Sequence, residues 1–124
     1  MTYDKDNIFA KIIRGEIPAT KVYEDEKVVA FQDVAPATKV HILVVPKGEY
    51  VSFDDFVMKA SATEIAYFFK TVRSIANEHG LVETGYRIIT NHGRDACQSV
   101  PHFHVHILGG RFLGGLIPDD VEER

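Results

Sequence analysis

Apolar residues recur along this chain at two spacings, three to four in some stretches and two in others, and the spacing divides it into helices and strands. Ile8, Phe9, Ile12 and Ile13 fall at helical spacing, with Asp4 or Asp6 available as N-cap and Gly15 just past the end, so Asn7 to Arg14 is predicted to be a short amphipathic helix. Lys21–Glu24 and Lys27–Phe31 flank the acidic break Asp25-Glu26 and read as an antiparallel hairpin. Gln32–Thr38 breaks both periods and carries Pro36, which predicts a loop with Asp33 at the strand end. Val40–Val45 is β-branched and stops at Pro46-Lys47-Gly48, as expected of a mostly buried third strand with His41 near its start.

Ser61-Ala62-Thr63-Glu64 is a capping-box signature, and Ile65, Phe68, Phe69, Val72, Ile75 and Ala76 follow at helical spacing up to Gly80. This is the main helix. Tyr86–Thr90 alternates as a fourth strand, Asn91–Ser99 is a polar loop, and a fifth strand runs through His102-Phe103-His104-Val105-His106-Ile107 to Gly109-Gly110. Short connections in the order helix, three strands, helix, two strands suit antiparallel pairing. The expected class is α+β: a five-stranded antiparallel sheet with one long and one short helix.

Length and composition narrow this further. The 124 residues suffice for one hydrophobic core, so residues 1–124 are read as a single domain. With 26% charged and 45% hydrophobic residues and no long apolar run, the chain reads as soluble, without a membrane partner. Met1–Asp6 is polar and lacks the apolar run of a secretory signal, which points to the cytoplasm. Cys97 is the only cysteine, so a disulfide framework or cysteine-based zinc site cannot form within the chain. A net charge of −4 with no basic stripe argues against nucleic acid as the main partner.

The histidine strand carries the candidate chemistry. Period-2 spacing puts His102, His104 and His106 on one face, in a row roughly 13 Å long, and Phe103, Val105 and Ile107 on the other. Three imidazoles on one face need partners, a metal or work at an open site. One reading makes His104 a nucleophile toward phosphorus, with the outer two orienting it or meeting the ligand, and with the Gly93–Ser99 loop and Asn91 donating to phosphate oxygens. A hydrolytic zinc site is a second reading, although all three cannot reach one ion unless the strand bends. Histidines that merely line a solvated face are a third.

The stretch from Asn91 to Arg111, with Cys97-Gln98-Ser99, the triad and the Gly109-Gly110 exit, resembles the signature of the histidine triad (HIT) superfamily, most of all its Hint branch. The similarity extends upstream through Ile8–Ile13, Gly15–Ala19, Ala30–Asp33 and His41–Lys47, so it covers residues 7–111 and leaves 112–124 as a tail. The resemblance implies a HIT-like fold, a homodimer whose sheets join, and hydrolysis of adenosine 5′-phosphoramidates or aminoacyl adenylates through a nucleotidyl-histidine intermediate. It assigns His104 as nucleophile, His41 and His102 as its supports, paired with each other, and Asn91, Ser99 and His106 as phosphate contacts. Asp33 would meet the ribose hydroxyls, and Phe9, Phe31, Val34 and Leu43 the purine base. Cys97 and Gln98 would sit in the phosphate loop, with the Cys97 backbone N–H as a donor. No metal is required, and bound zinc would not be catalytic.

This chain departs from the Hint pattern at three places. Cys97 stands where glycine is usual, Pro101 replaces a hydrophobic residue before the first histidine, and Leu113–Pro118 is more like bacterial members than animal ones. Two alternatives to the phosphoramidase remain at this point: a dinucleoside polyphosphate hydrolase of the related Fhit type, and a nucleotide-binding scaffold with incidental hydrolysis. Taken one by one, Asp33 also suits a turn, and His41, Phe9 and Phe31 suit a core.

Overall fold

The computed structural model describes residues 2–115. Helix α1 (Ile8–Ile13) leads into strands β1 (Lys21–Glu24), β2 (Val28–Gln32) and β3 (Val40–Pro46). Helices α2 (Phe53–Lys59) and α3 (Ala62–Glu78) follow, then β4 (Arg87–Ile89), a 3-10 turn at Arg94–Ala96 and β5 (Val105–Gly109). The strands form one antiparallel sheet in the order β1-β2-β3-β5-β4. The expected α+β class and five-stranded sheet are present. Helix α2 is an addition: it is only two turns long and its N-cap Ser52 makes no side-chain bond, but Asp55 in its first turn accepts from Val51 N–H at 2.8 Å and pairs with Lys59 in its last, and Phe56 is fully buried.

Both faces of the central strands are covered. Val28, Ala30, Ile42, Val44, Phe103, Val105 and Ile107 meet Phe56, Phe68, Val72, Ile75, Ala76 and Leu81 on the α2/α3 side. The intervening Val29, Phe31, Leu43 and Val45 meet Phe9 and Ile12 of α1 on the other. Covering both faces is why β2 and β3 read as continuous apolar runs.

The β5 ladder begins at Val105, three residues later than the histidine pattern suggests. Pro101 has no N–H to give, His102 N–H turns back to the Val100 carbonyl, and Phe103 N–H donates to the Tyr50 carbonyl at 2.7 Å. His102, Phe103 and His104 therefore approach the sheet without being part of its ladder. Among the tail residues, Leu116–Arg124 lie outside the described residues.

The β1–β2 turn is tied by Asp25. Its carboxylate accepts from the Tyr23 hydroxyl at 2.5 Å, from the Tyr67 hydroxyl of α3, and from the N–H groups of Lys27 and Val28 at 2.7 and 2.8 Å. Burial acts to raise the Asp25 pKa, but these hydrogen bonds outweigh it and hold the carboxyl at about 2. A folded pKa below the unfolded value near 4 gives stability that is present above pH 4 and lost as pH falls toward 2. Urea titrations across that window should show the loss in the wild type and a flatter response in Asp25→Asn, and Asp25→Ala should cost about 2 kcal/mol at neutral pH.

Cys97 ends the 3-10 turn at φ 57° and ψ 42°, and no other non-glycine residue described has a positive φ. An L-residue there costs roughly 1–2 kcal/mol that glycine does not incur, partly offset by the greater freedom of an unfolded glycine. Thermal melting of Cys97→Gly should therefore show a gain of up to about 1 kcal/mol, whereas Cys97→Ala should leave stability nearly unchanged.

Candidate active site

Seating Phe103, Val105 and Ile107 in the helix-side core sends His104 and His106 to the α1 side of the sheet. There they line a cavity of about 260 Å³, near the lower end for small-molecule pockets. Its apolar wall comes from Ile8, Phe9 and Ile12 of α1, Ile17, Pro18 and Ala19 after it, Phe31, Leu43, Val34 and Val100. The polar lining is Gln32, Asp33, Ser99, His104 and His106.

Partners that can act only as donor or only as acceptor set the ring tautomers. His102 is 1% exposed, and its Nε2 lies 2.7 Å from the Pro46 carbonyl, so Nε2–H donates there. Its Nδ1 accepts from the Tyr3 hydroxyl at 2.5 Å. Burial takes the His102 pKa down to about 4, against the opposing effect of the Pro46 bond. The His102 carbonyl in turn accepts from Nδ1–H of His104 at 2.7 Å. Burial also lowers the His104 pKa, so at neutral pH the ring is uncharged and Nε2 keeps its lone pair for the cavity. Thr90 Oγ1–H donates to the His104 carbonyl at 2.8 Å, and the Phe9 ring meets the His104 imidazole edge-on with centroids 4.8 Å apart.

His106 has the opposite tautomer. Ala37 N–H donates to Nδ1 of His41 at 3.0 Å, which leaves the His41 hydrogen on Nε2. That Nε2–H donates to Nδ1 of His106 at 2.8 Å, so the hydrogen of His106 sits on its Nε2. Burial, followed by repulsion from His104 and His41, depresses the His106 pKa to about 4. The cavity thus pairs one imidazole that offers a lone pair with a neighbour, centroid 5.1 Å away, that offers an N–H.

Several sequence expectations are corrected by this geometry. His41 pairs with His106 and not with His102, because Leu43 stands opposite His106 in the β3–β5 register and His41 lies on the same face as Leu43. Gln98 does not line the cavity: its amide braces the loop, accepting from Gly93 N–H and donating to the Val51 and Val100 carbonyls. Cys97 N–H is already spent on the Arg94 carbonyl, closing the 3-10 turn, and the Gln98 N–H on the Gly93 carbonyl. Neither Cys97 nor Asn91 lines the cavity, whereas Phe9, Phe31, Asp33, Val34, Leu43, Ser99, His104 and His106 do. Ile8, Ile12, Ile17, Pro18, Ala19, Gln32 and Val100 join them unforeseen. The Ile8/Ile12 spacing carried that signal, since a four-residue repeat puts both on one side of α1.

Among the described residues, the group able to hold a metal ion is Asp33, His41 and His106, with ligand atoms all within 4.8 Å of one another. It includes only one member of the triad. An ion there would displace the His41–His106 hydrogen bond, and the Asp33 carboxylate 3.5 Å from His41 Nε2 already has its other oxygen on Ala35 N–H.

Comparison with known proteins agrees with this arrangement. The HIT domain model matches residues 14–113. An uncharacterised HIT-like protein of Rickettsia prowazekii is 52% identical over 115 residues, covering 93% of this chain and 96% of its own length. Adenylylsulfatase HINT1 of Arabidopsis thaliana is 43% identical over 113 residues, 87% of this chain and 74% of the plant protein. A solved HIT family hydrolase from Clostridium thermocellum superposes with a TM-score of 0.84 at 38% identity, over 92% of this chain and 98% of its own. A histidine strand seated by its apolar alternates, together with these matches along nearly the whole chain, establishes that the protein belongs to the histidine triad (HIT) family.

Proposed function

We propose that this protein is a purine nucleoside phosphoramidase, a hydrolase that releases AMP from adenosine 5′-phosphoramidates or aminoacyl adenylates. The observation that carries the reading is the hydrogen bond from His104 Nδ1 to the His102 carbonyl, which leaves His104 Nε2 as a lone pair on the cavity. The Clostridium relative's description as a hydrolase supports hydrolysis, and the Arabidopsis relative's name, adenylylsulfatase, supports an adenylyl group as the substrate moiety.

The base lies against Phe9, Phe31 and Leu43, the ribose hydroxyls meet Asp33, and the α-phosphate lies between Ser99, His104 and His106. His104 Nε2 attacks phosphorus, and a P–N bond to the imidazole forms as the bond to the leaving group breaks. The electron pair leaves with the departing group: the amine of a phosphoramidate takes a proton from the His106–His41 pair, whereas the carboxylate of an aminoacyl adenylate leaves without one. An anionic phosphate favours the protonated form of His106, which otherwise is neutral at pH 7, so ligand binding itself readies the donor. Water then attacks phosphorus, the P–Nε2 bond breaks, AMP departs, and the proton from water restores the histidine pair. No metal takes part, and zinc at Asp33, His41 and His106 would block rather than assist.

We place the enzyme in the cytoplasm, whose reducing conditions suit the exposed free thiol of Cys97. We further propose a homodimer through β4, an edge strand in the described sheet whose Ile88 is 47% exposed. Sedimentation at micromolar concentration should give twice the chain mass.

Hydrolysis of a tryptamine or lysine adenosine phosphoramidate, followed by AMP release, tests the activity. His104→Ala should lose at least about 10³-fold while still binding AMP. Mass spectrometry of a rapidly quenched reaction should show wild-type protein carrying one nucleotidyl group, and a chelator should leave the rate unchanged. Turnover of diadenosine polyphosphate or adenylyl sulfate far above the phosphoramidate would reassign the leaving group. Equal turnover by His104→Ala would refute the nucleophile.

A further inference from the structure

The segment before α1 is folded onto the histidine strand. Asn7 Nδ2 donates to the Asp4 carbonyl at 2.7 Å and Arg14 donates to the Lys5 carbonyl at 2.8 Å, which fixes the path of residues 4–7. Aromatic rings flank it, Tyr3 on the N-terminal side and Phe9 within α1, with different partners. Phe9 meets His104 edge-on, and Tyr3 meets His102 edge-on, with centroids 5.5 Å apart and planes at 71°. The Tyr3 hydroxyl lies 2.5 Å from His102 Nδ1, 99 residues away in sequence.

We propose that Tyr3 is a positioning residue for the nucleophile: its hydroxyl holds the orientation of His102, whose tautomer Pro46 O sets and whose carbonyl fixes the tautomer and orientation of His104. His102 is buried, and its two ring nitrogens are held by one acceptor, Pro46 O, and one donor, the Tyr3 hydroxyl. Without the hydroxyl, Nδ1 becomes a buried acceptor with no partner, a costly state that a ring rotation relieves. That rotation releases Nε2–H from Pro46 and shifts the peptide whose carbonyl receives His104 Nδ1–H. The His104 hydrogen is then free to occupy either nitrogen, and the fraction of rings with a lone pair on Nε2 falls.

This inference deepens the phosphoramidase reading and rests on it for its kinetic arm only. The direct test is long-range 1H–15N NMR on the full chain with 15N-labelled histidine. Wild type should show the Nε2–H form of His102 and the Nδ1–H form of His104. Tyr3→Phe keeps the ring and should convert His104 to a mixture of both forms, with kcat for the phosphoramidate down roughly tenfold, a scale seen for partners that orient a reacting imidazole, and KM within about twofold. Tyr3→Leu should behave as Tyr3→Phe does. An unchanged His104 tautomer in Tyr3→Phe overturns the proposal, whatever happens to kcat. A change in Tyr3→Leu alone also overturns it, because ring packing and not the hydroxyl would be responsible. Should wild type fail to turn over any phosphoramidate, the functional reading falls while the tautomer measurement still decides the role of Tyr3.

Discussion

The contact on which the site depends lies on the opposite side of the sheet. Phe103 stacks on Phe56 with centroids 4.7 Å apart and planes at 15°, and Val105 and Ile107 continue into the same core. Because side chains alternate across an extended chain, seating these three commits His104 and His106 to the α1 face. A slip of one residue would drive two imidazoles into an apolar layer without partners and expose three large hydrophobes. The register of the histidine strand is therefore set by packing on the face away from the cavity.

On the histidine side, backbone groups decide which nitrogen does what. A carbonyl can only accept and an amide N–H can only donate, so Pro46 O, His102 O and Ala37 N–H leave no choice of tautomer for His102, His104 and His41, and through His41 for His106. These three groups come from the end of β3, the approach to β5 and the loop between β2 and β3. Burial completes the arrangement by keeping the triad imidazoles uncharged at neutral pH. The fold thus enters the chemistry through its main chain, with charged side chains in a secondary part.

The alternation of Phe103, Val105 and Ile107 with the triad was legible in the chain because it is local. So were the hairpin at Asp25 and the Ser61 half of the α3 capping box, whose Oγ accepts from Glu64 N–H, although the Glu64 carboxylate takes the Tyr50 hydroxyl instead of returning to the cap. The partners of the imidazoles were not. His41–His106 and Tyr3–His102 span 65 and 99 residues, and the other partners are main-chain groups that any residue type can supply. The family pattern pointed to the Cys97 N–H as a donor, yet local geometry overrules it: the 3-10 turn has already used that hydrogen on Arg94. Helix α2 did leave a signal, Ser52-x-x-Asp55 with Lys59 four residues on, but a segment of two turns is too short for apolar spacing to reinforce it.

The loss of those amides changes how an anion is held in the proposed reaction. With the N–H groups of Gly93, Cys97 and Gln98 spent inside the loop, donors to phosphate come from Ser99 and from Nε2–H of His106. The second of these depends on His41 Nε2–H reaching His106, and Asp33 Oδ2, 3.5 Å away, competes for the same hydrogen. A ribose hydroxyl that donates to Asp33 weakens that competition and strengthens the donation from His41 to His106. Holding the sugar and protonating the leaving group are then two ends of one hydrogen-bond chain. In the proposed reaction, a nucleoside whose ribose reaches Asp33 would therefore do more than anchor the substrate, since it would also set the proton where the P–N bond breaks.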